Sequence, residues 1–387
     1  IFQGSTSFTV RTGAALARHW NVLPETIPSH IPPTHAMNIF RYAEEGSIRM
    51  LWIIGTNPAV SLPELHRIRR LLGKKQLFVV AQDGFANETT ELADLVLPAA
   101  IWGEKTGCFT NTDRTVHIAY KAIDPPGQAR PDLDIFLEYA RRMDFRDKDG
   151  APLIKWSDAE GAFDSFKQIT KGRPCDYSGM TYHKLSGGSG IQWPCNEWFP
   201  EGKERLYEDG HFGTSADYCE IYGHDLMTGA VIEPLDYHAR DPRGRAKIRS
   251  AHYLPPVEQP DEAFPFWLTT GRVVYHWHTR TKTGRVPALN EAAPEVFIQL
   301  SQEDAASYGI TEGDMLEVTS RRGTVHGQAR LGDIAAGHIF IPFHYGYWDE
   351  DPDAARARAA NELTITGWDP VSKQPHFKYA AVRVRKL

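Results

Sequence analysis

The sequence predicts an α/β domain built on a parallel sheet, followed by an all-β barrel. Two patterns carry that prediction. Between residues 48 and 97 short apolar runs alternate with segments of helical spacing, in the order strand, helix, strand, helix, strand. Continuous rather than alternating apolar runs imply a Rossmann-like parallel sheet covered on both faces. After Pro265 the pattern changes to short strands separated by turns, the spacing of a barrel with one or two short helices. The predicted boundaries are an α/β domain over 1–145, an irregular insertion or linker region over 146–260, and a β-barrel over 261–387.

In order along the chain, Ile48-Arg49-Met50-Leu51-Trp52-Ile53-Ile54-Gly55-Thr56 is an apolar strand that stops at a glycine. Pro63 then opens a helix with Leu65, Ile68, Leu71 and Leu72 at helical spacing. Leu77-Phe78-Val79-Val80-Ala81 is a second strand, Asn87 to Ala93 a short helix, and Leu95-Val96-Leu97 a third strand. Ligands bind beyond the carboxyl ends of such strands. Those ends carry Gly55-Thr56-Asn57-Pro58, Gln82-Asp83 and, past Pro98, Glu104-Lys105-Thr106-Gly107-Cys108-Phe109-Thr110-Asn111, so a single polar rim is expected. Asp132 stands in the first turn of a further helix, where the dipole prefers it, with Leu133, Phe136, Ala140 and Met143 as its apolar face. As local structure alone, Asp132 is an N-cap and Asn57 a turn residue.

The region 146–260 is rich in Gly, Pro, Trp and Tyr and has weak periodicity. Within it Ser186-Gly187-Gly188-Ser189-Gly190-Ile191-Gln192-Trp193-Pro194-Cys195 reads as a surface linker. The aromatics Trp156, Tyr182, Trp193 and Trp198 suit buried packing, a docking patch being the alternative. In the barrel region the strands are Phe297–Leu300, Met315–Thr319, Thr324–Leu331 and Ile339–Pro342. Ser301 followed by Asp304 starts a helix, and Arg321-Arg322-Gly323 makes a hairpin turn.

A chain of 387 residues can bury two or three cores. A net charge of −6 argues against a general nucleic-acid binder, and no apolar run approaches the roughly 20 residues of a membrane helix. The four cysteines, Cys108, Cys175, Cys195 and Cys219, lie far apart with no Cys-x-x-Cys pair, so neither a zinc ribbon nor a four-cysteine iron–sulfur cradle is read here. Isolated thiols fit a reducing compartment, and cytoplasmic location is expected, with a disulfide among the last three cysteines as the alternative. Ile1-Phe2-Gln3-Gly4 lacks the layout of a secretory signal and reads as an internal cut.

The densest polar cluster follows the apolar run Phe264-Pro265-Phe266-Trp267-Leu268: Thr270-Gly271-Arg272-Val273-Val274-Tyr275-His276-Trp277-His278-Thr279. A cationic, glycine-relieved turn with two histidines and three hydroxyls suits a phosphorylated, hydrogen-bonding ligand. A histidine pair at spacing two on a strand faces one side, as metal ligands do, although hydrogen bonding to the ligand is the preferred reading.

This cluster, continued by Arg280-Thr281-Lys282-Thr283-Gly284, resembles a stretch of the molybdopterin oxidoreductases of the dimethyl sulfoxide reductase family, in particular the assimilatory and periplasmic nitrate reductases. Trp52 to Pro58, Gln82-Asp83 with Glu88-Thr89, Ala93 to Pro98, Glu104-Lys105-Thr106-Gly107 with Thr110-Asn111, and Asn361-Glu362-Leu363-Thr364 with Phe377-Lys378 resemble further motifs of that family, in its order. Gly-Ile-Gln-Trp-Pro-Cys resembles a stretch of its formate dehydrogenases and nitrate reductases. Cys108 departs from the family's small hydroxyl residue, and Asp113-Arg114-Thr115 from its Glu-Arg-Arg.

The resemblance implies a double-psi-type β-barrel that binds a molybdopterin dinucleotide, and a molybdenum-bis(molybdopterin guanine dinucleotide) cofactor. It implies that Lys105, Lys378 and Arg272 neutralise phosphate, that Asp83 and Asp132 accept the guanine N–H and amine, and that Gly55 and Gly271 let backbone amides approach. Thr56, Asn57, Gln82, Asn361, Thr270, Thr279 and Thr281 supply neutral hydrogen bonds, with Tyr275, His276 and His278 beside them. No residue of this chain is expected to bind metal, the catalytic residues are left open, and the chain by itself is not expected to turn over substrate. The 4Fe-4S cluster and the protein ligand to molybdenum are expected in upstream domains. The implied activity is reduction of a small oxyanion, nitrate to nitrite, with electrons from a donor protein or domain. A formate dehydrogenase and a non-catalytic molybdopterin-binding module are the alternatives.

Overall fold

The fold is seen in a computed structural model that describes residues 10–27, 35–208, 253–351, 357–369 and 374–387. Its helices are α1 (Val10–Trp20), α2 (Ala36–Glu44), α3 (Pro58–Ser61), α4 (Leu65–Leu72), α5 (Glu88–Glu91), α6 (Asp132–Arg142), α7 (Ala159–Thr170), α8 (Tyr182–Leu185), α9 (Pro287–Ala292) and α10 (Gln302–Ser307). Its strands are β1 (Met50–Ile54), β2 (Phe78–Asp83), β3 (Leu95–Pro98), β4 (Gly107–Thr110), β5 (Thr115–Ala119), β6 (Ile191–Gln192), β7 (Phe266–Gly271), β8 (Phe297–Leu300), β9 (Met315–Thr319), β10 (Thr324–Leu331), β11 (His338–Pro342) and β12 (Tyr379–Lys386). Two compact units result, Ile1–Pro33 with Ala99–Ala251, and Thr34–Pro98 with His252–Leu387.

The second unit holds both the parallel sheet and the barrel. The sheet has the order β1-β2-β3, with Leu51 opposite Val79 and Val80 opposite Leu95. Leu51, Ile53 and Val79 pack on Phe40, Ala43, Ile68, Leu71 and Leu72 of α2 and α4. All four apolar residues expected on the helix after Pro63 are buried, and Glu64, at φ 53, precedes its first turn. The expected cover on both faces holds for the middle strand, where Val79 to Gln82 are buried, but Met50, Ile54, Phe78 and Leu95 stay exposed. A continuous apolar run does not by itself say how many faces are covered. Helix α3 was not foreseen: Pro58 supplies its first turn and Asn57 its N-cap position.

The barrel closes in the order β10-β8-β11-β7-β12-β9, with β9 and β10 joined as a hairpin. Pairs β8–β10 and β7–β11 are parallel, and the others antiparallel. Inward residues recur at period two and form one core with Phe266, Leu268, Ile298, Leu300, Leu316, Val318, Val325, Ile339, Ile341 and Val382. Ser301 caps α10 by accepting the Asp304 amide at 3.0 Å, and Ser320 and Gly323 close the hairpin turn. Strand β12 lies between β7 and β9, so residues 379–386 complete the ring.

The first unit is built on an antiparallel sheet β4-β5-β6 packed with α7 and α8 around Val116, Tyr177, Met180, Leu185, Ile191 and Cys195. The Gly-Ile-Gln-Trp-Pro-Cys stretch is therefore no surface linker. Ile191 pairs with Val116, Cys195 is fully buried, and a Cβ at Gly190 would stand 2.6 Å from Thr115. Of the four aromatics singled out, Trp198 is exposed and the other three are half-buried. In α6 the buried residues are Ile135 and Leu137, whereas Phe136 and Met143 are exposed. Apolar residues surround that helix, so more than one phase of the 3.6 period fits. Pro131, not Asp132, occupies its N-cap position. Cys219 lies outside the described residues.

Candidate functional site

The rim begins where the parallel strands end. Gly55, at φ 58, donates its amide to the Gln82 carbonyl at 2.9 Å, and with Thr56 it is exposed. Positive φ suits glycine here. Gln82 is buried and accepts the Trp52 indole N–H at 3.1 Å. The Asp83 carboxylate caps its own turn, Oδ1 accepting the Phe85 amide at 3.2 Å and Oδ2 the Asn87 side-chain amide at 3.1 Å. Burial raises its pKa. Asn87 in turn caps α5.

On the barrel side β7 ends at Gly271, where a Cβ would lie 2.7 Å from the Phe340 ring. His276 and His278 therefore sit in a loop, and strand alternation does not place them on one side. His276 is buried, its Nε2 2.6 Å from the Ala293 carbonyl and its Nδ1 3.1 Å from the Thr283 hydroxyl. His278 is exposed at φ 43 with its ring edge-on to Trp277. Desolvation lowers the pKa of both.

His344 clips that loop at its two ends. Its Nε2 accepts the Val273 amide at 2.9 Å, so its Nδ1, 2.6 Å from the His278 carbonyl, carries the proton. A backbone donor on one nitrogen and a backbone acceptor on the other fix a neutral tautomer. Burial pushes its pKa down to about 4, with His276, Arg272 and His278 adding in the same direction.

Sheet and barrel meet through Asn57 and Glu88, both buried. Asn57 Nδ2 donates to Glu88 Oε2 at 2.8 Å and to the Thr279 hydroxyl at 3.2 Å, while its Oδ1 accepts from Thr89 at 2.7 Å. Glu88 Oε1 accepts the amides of Tyr347 and Trp348. Asn361 donates to the Val60 carbonyl at 2.9 Å and accepts from Thr364. Thr270 donates to the Phe377 carbonyl at 3.1 Å. Asn57, Thr270 and Asn361 thus have protein partners at their side-chain polar groups.

Thr56, Arg272, Tyr275, His278 and Lys378 face outward instead. Arg272 lies over the Phe343 ring at 5.4 Å, the Lys282 charge acts on Asp83, and neither Arg272 nor Lys378 forms an ion pair among the described residues. Lys105 and Asp132 belong to the other unit, where they form an ion pair with each other. Cys108 is half-buried and its thiol is pushed up to about 11. Arg114 donates to the carbonyls of Trp193 and Lys203. Among the described residues no group of three His, Cys, Asp or Glu side chains is placed to hold a metal ion, and no helix is long and apolar enough to cross a membrane. Sequence reasoning quoted Glu88 only within a motif and missed His344 and Arg285 as rim residues. The run Phe343-His344-Tyr345-Gly346-Tyr347-Trp348 after β11 was the available signal for His344.

Two family models match the chain, Molybdopterin oxidoreductase over residues 16–142 and Molydopterin dinucleotide binding domain over residues 266–381. A nitrate reductase of Symbiobacterium thermophilum is 39% identical over 91% of the chain, which covers 43% of that relative. The periplasmic nitrate reductase of Desulfovibrio desulfuricans is 34% identical over 96% of the chain and is covered to 46%. The F420-dependent formate dehydrogenase subunit alpha of Methanocaldococcus jannaschii is 34% identical over 95% and is covered to 48%. The chain thus spans less than half the length of these relatives. Among solved structures, acetylene hydratase from Pelobacter acetylenicus superposes with a TM-score of 0.67 at 17% identity, over 98% of this chain and 51% of that one, a likeness of fold.

Proposed function

We propose, since the chain belongs to the molybdopterin oxidoreductases of the dimethyl sulfoxide reductase family, that it holds the dinucleotide arms of a molybdenum-bis(molybdopterin guanine dinucleotide) cofactor in an enzyme reducing nitrate to nitrite. The observation that carries this reading is the division of labour on the rim. Asn57, Glu88, Thr279, His276 and His344 are engaged with protein, while Gly55, Thr56, Arg272, Tyr275, His278, Lys282 and Lys378 present backbone, hydroxyl, imidazole and cationic groups outward. That donor set fits phosphate and pterin. Asp83 retains acceptor capacity for guanine. Lys105 and Asp132, in the other unit, are proposed as a cation and a carboxylate for a dinucleotide arm.

When bound, the metal supplies two-electron transfer to the oxyanion. The residues of this chain bind, orient and neutralise charge. His344 keeps the rim loop closed, and His276 stays neutral by burial, so neither places a buried positive charge beside the loop. An electron donor and domains bearing an iron–sulfur cluster and the protein ligand to molybdenum complete the proposal, with the cytoplasm as its location.

Similarity to nitrate reductases in separate organisms favours nitrate. The 34% identity to a formate dehydrogenase subunit favours formate oxidation as the second reading. The full gene product assayed with reduced viologen and nitrate, and with oxidised viologen and formate, separates the two. Nitrate turnover is expected; formate turnover without it would overturn the preference.

A further inference from the structure

The turn that carries Asp83 is held from the barrel side by Arg285. The Arg285 guanidinium carbon lies 3.9 Å from the centroid of the Trp348 ring and 5.4 Å from that of Phe85. Nη2 donates to the Ala86 carbonyl at 3.0 Å, and Nη1 to the Thr281 carbonyl. One planar group therefore joins the turn after β2, the rim loop and the aromatic run after β11. The stacking continues inward, since the Arg280 guanidinium lies 5.4 Å from Trp348 and 5.2 Å from Tyr345. Buried Arg280 is itself anchored by Asp349 and by Asn290 at 2.6 Å. Guanidinium and ring alternate from Phe85 to Tyr345, so displacement of Arg285 is opposed at every layer.

Asp83 accepts the Phe85 amide on Oδ1 and the Asn87 side-chain amide on Oδ2, and the Gly84 amide and the Lys282 charge also act on it. A carboxylate has about four acceptor sites, so acceptor capacity remains, and its two oxygens are spaced to meet the adjacent ring N–H and exocyclic amine of guanine. Hypoxanthine offers the ring N–H without the amine. The direction of those sites follows the Phe85 amide, and Phe85 and Ala86 are the residues Arg285 grips.

We propose that Arg285 is a positioning residue for base selection: by fixing the Phe85-Ala86 backbone it aims the Asp83 carboxylate, and so sets the preference for guanine over hypoxanthine. Arg285 does this without touching the ligand. The inference deepens the function proposed above and rests on Asp83 as the guanine acceptor. Lysine is no substitute, because a point charge has neither the plane that stacks nor the fork that reaches two carbonyls.

The test is binding of GDP and IDP to the full chain by calorimetry, for the natural protein and for Asp83→Asn, Arg285→Lys and Arg285→Ala, with amide hydrogen exchange read at Phe85. The natural protein is expected to favour GDP by about tenfold, the worth of one charged hydrogen bond. Asp83→Asn removes that preference. Arg285→Lys lowers it to about threefold or less and speeds exchange at Phe85; if Arg285→Ala fails to fold, Arg285→Lys carries the comparison. An unchanged GDP-to-IDP ratio in the Arg285 variants, whether or not both affinities fall together, overturns the positioning role while leaving Asp83 in place. An unchanged ratio in Asp83→Asn, or no GDP binding by the natural protein, overturns the guanine reading and this inference with it.

Discussion

Glu88 and Trp348, 260 positions apart, are joined by a 2.9 Å hydrogen bond in which a fully buried carboxylate accepts a backbone amide. The same oxygen accepts the Tyr347 amide and the other oxygen accepts Asn57, so the charge is met by three donors. Gly346 stands so close that a Cβ there would lie 2.2 Å from that carboxylate. Glu88→Gln replaces an acceptor with a donor facing donors. It should cost roughly 2–4 kcal/mol, read as a lower urea midpoint at unchanged slope.

Asn57→Asp tests the same joint from the opposite strand end. Two carboxylates would then face each other where an amide now donates across 2.8 Å. At pH 7 the loss should be about 3 kcal/mol, and part of it should return at pH 5, because a shared proton removes the repulsion. Equal destabilisation at both pH values in urea titrations would argue against a direct carboxylate contact.

His344 makes stability depend on pH. Its folded pKa is about 4 against 6.5 for the free side chain, so between those values the unfolded chain binds the extra proton. Stability is therefore full above pH 6.5, falls as pH drops toward 4 and is lost no further below that. The contribution is about 3 kcal/mol in order of magnitude. Urea midpoints from pH 7 to 4 should fall less steeply in His344→Gln, which does not titrate.

Arg272 and Lys378 should separate binding from folding. Both are exposed and without a carboxylate partner among the described residues, so Arg272→Ala and Lys378→Ala should leave the melting temperature within about 2 °C. Retention of guanylated pterin, measured by fluorescence after oxidation of the extracted cofactor, should fall by about tenfold or more for each lost phosphate contact. Retention equal to that of the natural protein would remove these residues from the proposed site.

Gly271 is fixed by packing. A methyl group there meets the Phe340 ring at 2.7 Å, so Gly271→Ala should cost roughly 1–3 kcal/mol. The double variant with Phe340→Leu should recover part of it, and a thermal-melt double-mutant cycle would detect additivity if the two residues were independent.

Most barrel strands were legible in the sequence because they bury alternate residues, and three of them, Phe297–Leu300, Met315–Thr319 and Thr324–Leu331, begin and end where the pattern does, whereas β12, which buries Ala380, Ala381 and Val382 in a row, was not read. The sheet was legible from its continuous apolar runs, and α4 from the helical spacing of Leu65, Ile68, Leu71 and Leu72. What the pattern could not supply was partnership. Asn57 and Asn361 carry the residue type expected of a ligand contact, yet their polar atoms are engaged by residues more than 200 positions away, at Thr279 and Val60. His344 sits in an aromatic run whose period points to no particular element. Around α6, apolar residues on several sides left the buried face ambiguous, and at Gly190 the close approach of Thr115 comes from a strand some 75 residues earlier.

Strand β12 also constrains how the molecule is made. The neighbours it joins, β7 and β9, are synthesised more than 50 residues earlier, and until the last eight-residue strand has left the ribosome they present open, hydrogen-bond-hungry edges. The ring therefore shuts only once β12 itself has emerged. In the interval before it shuts, the nascent polypeptide is exposed to edge-to-edge aggregation, and a chaperone that shields strand edges would act in that interval.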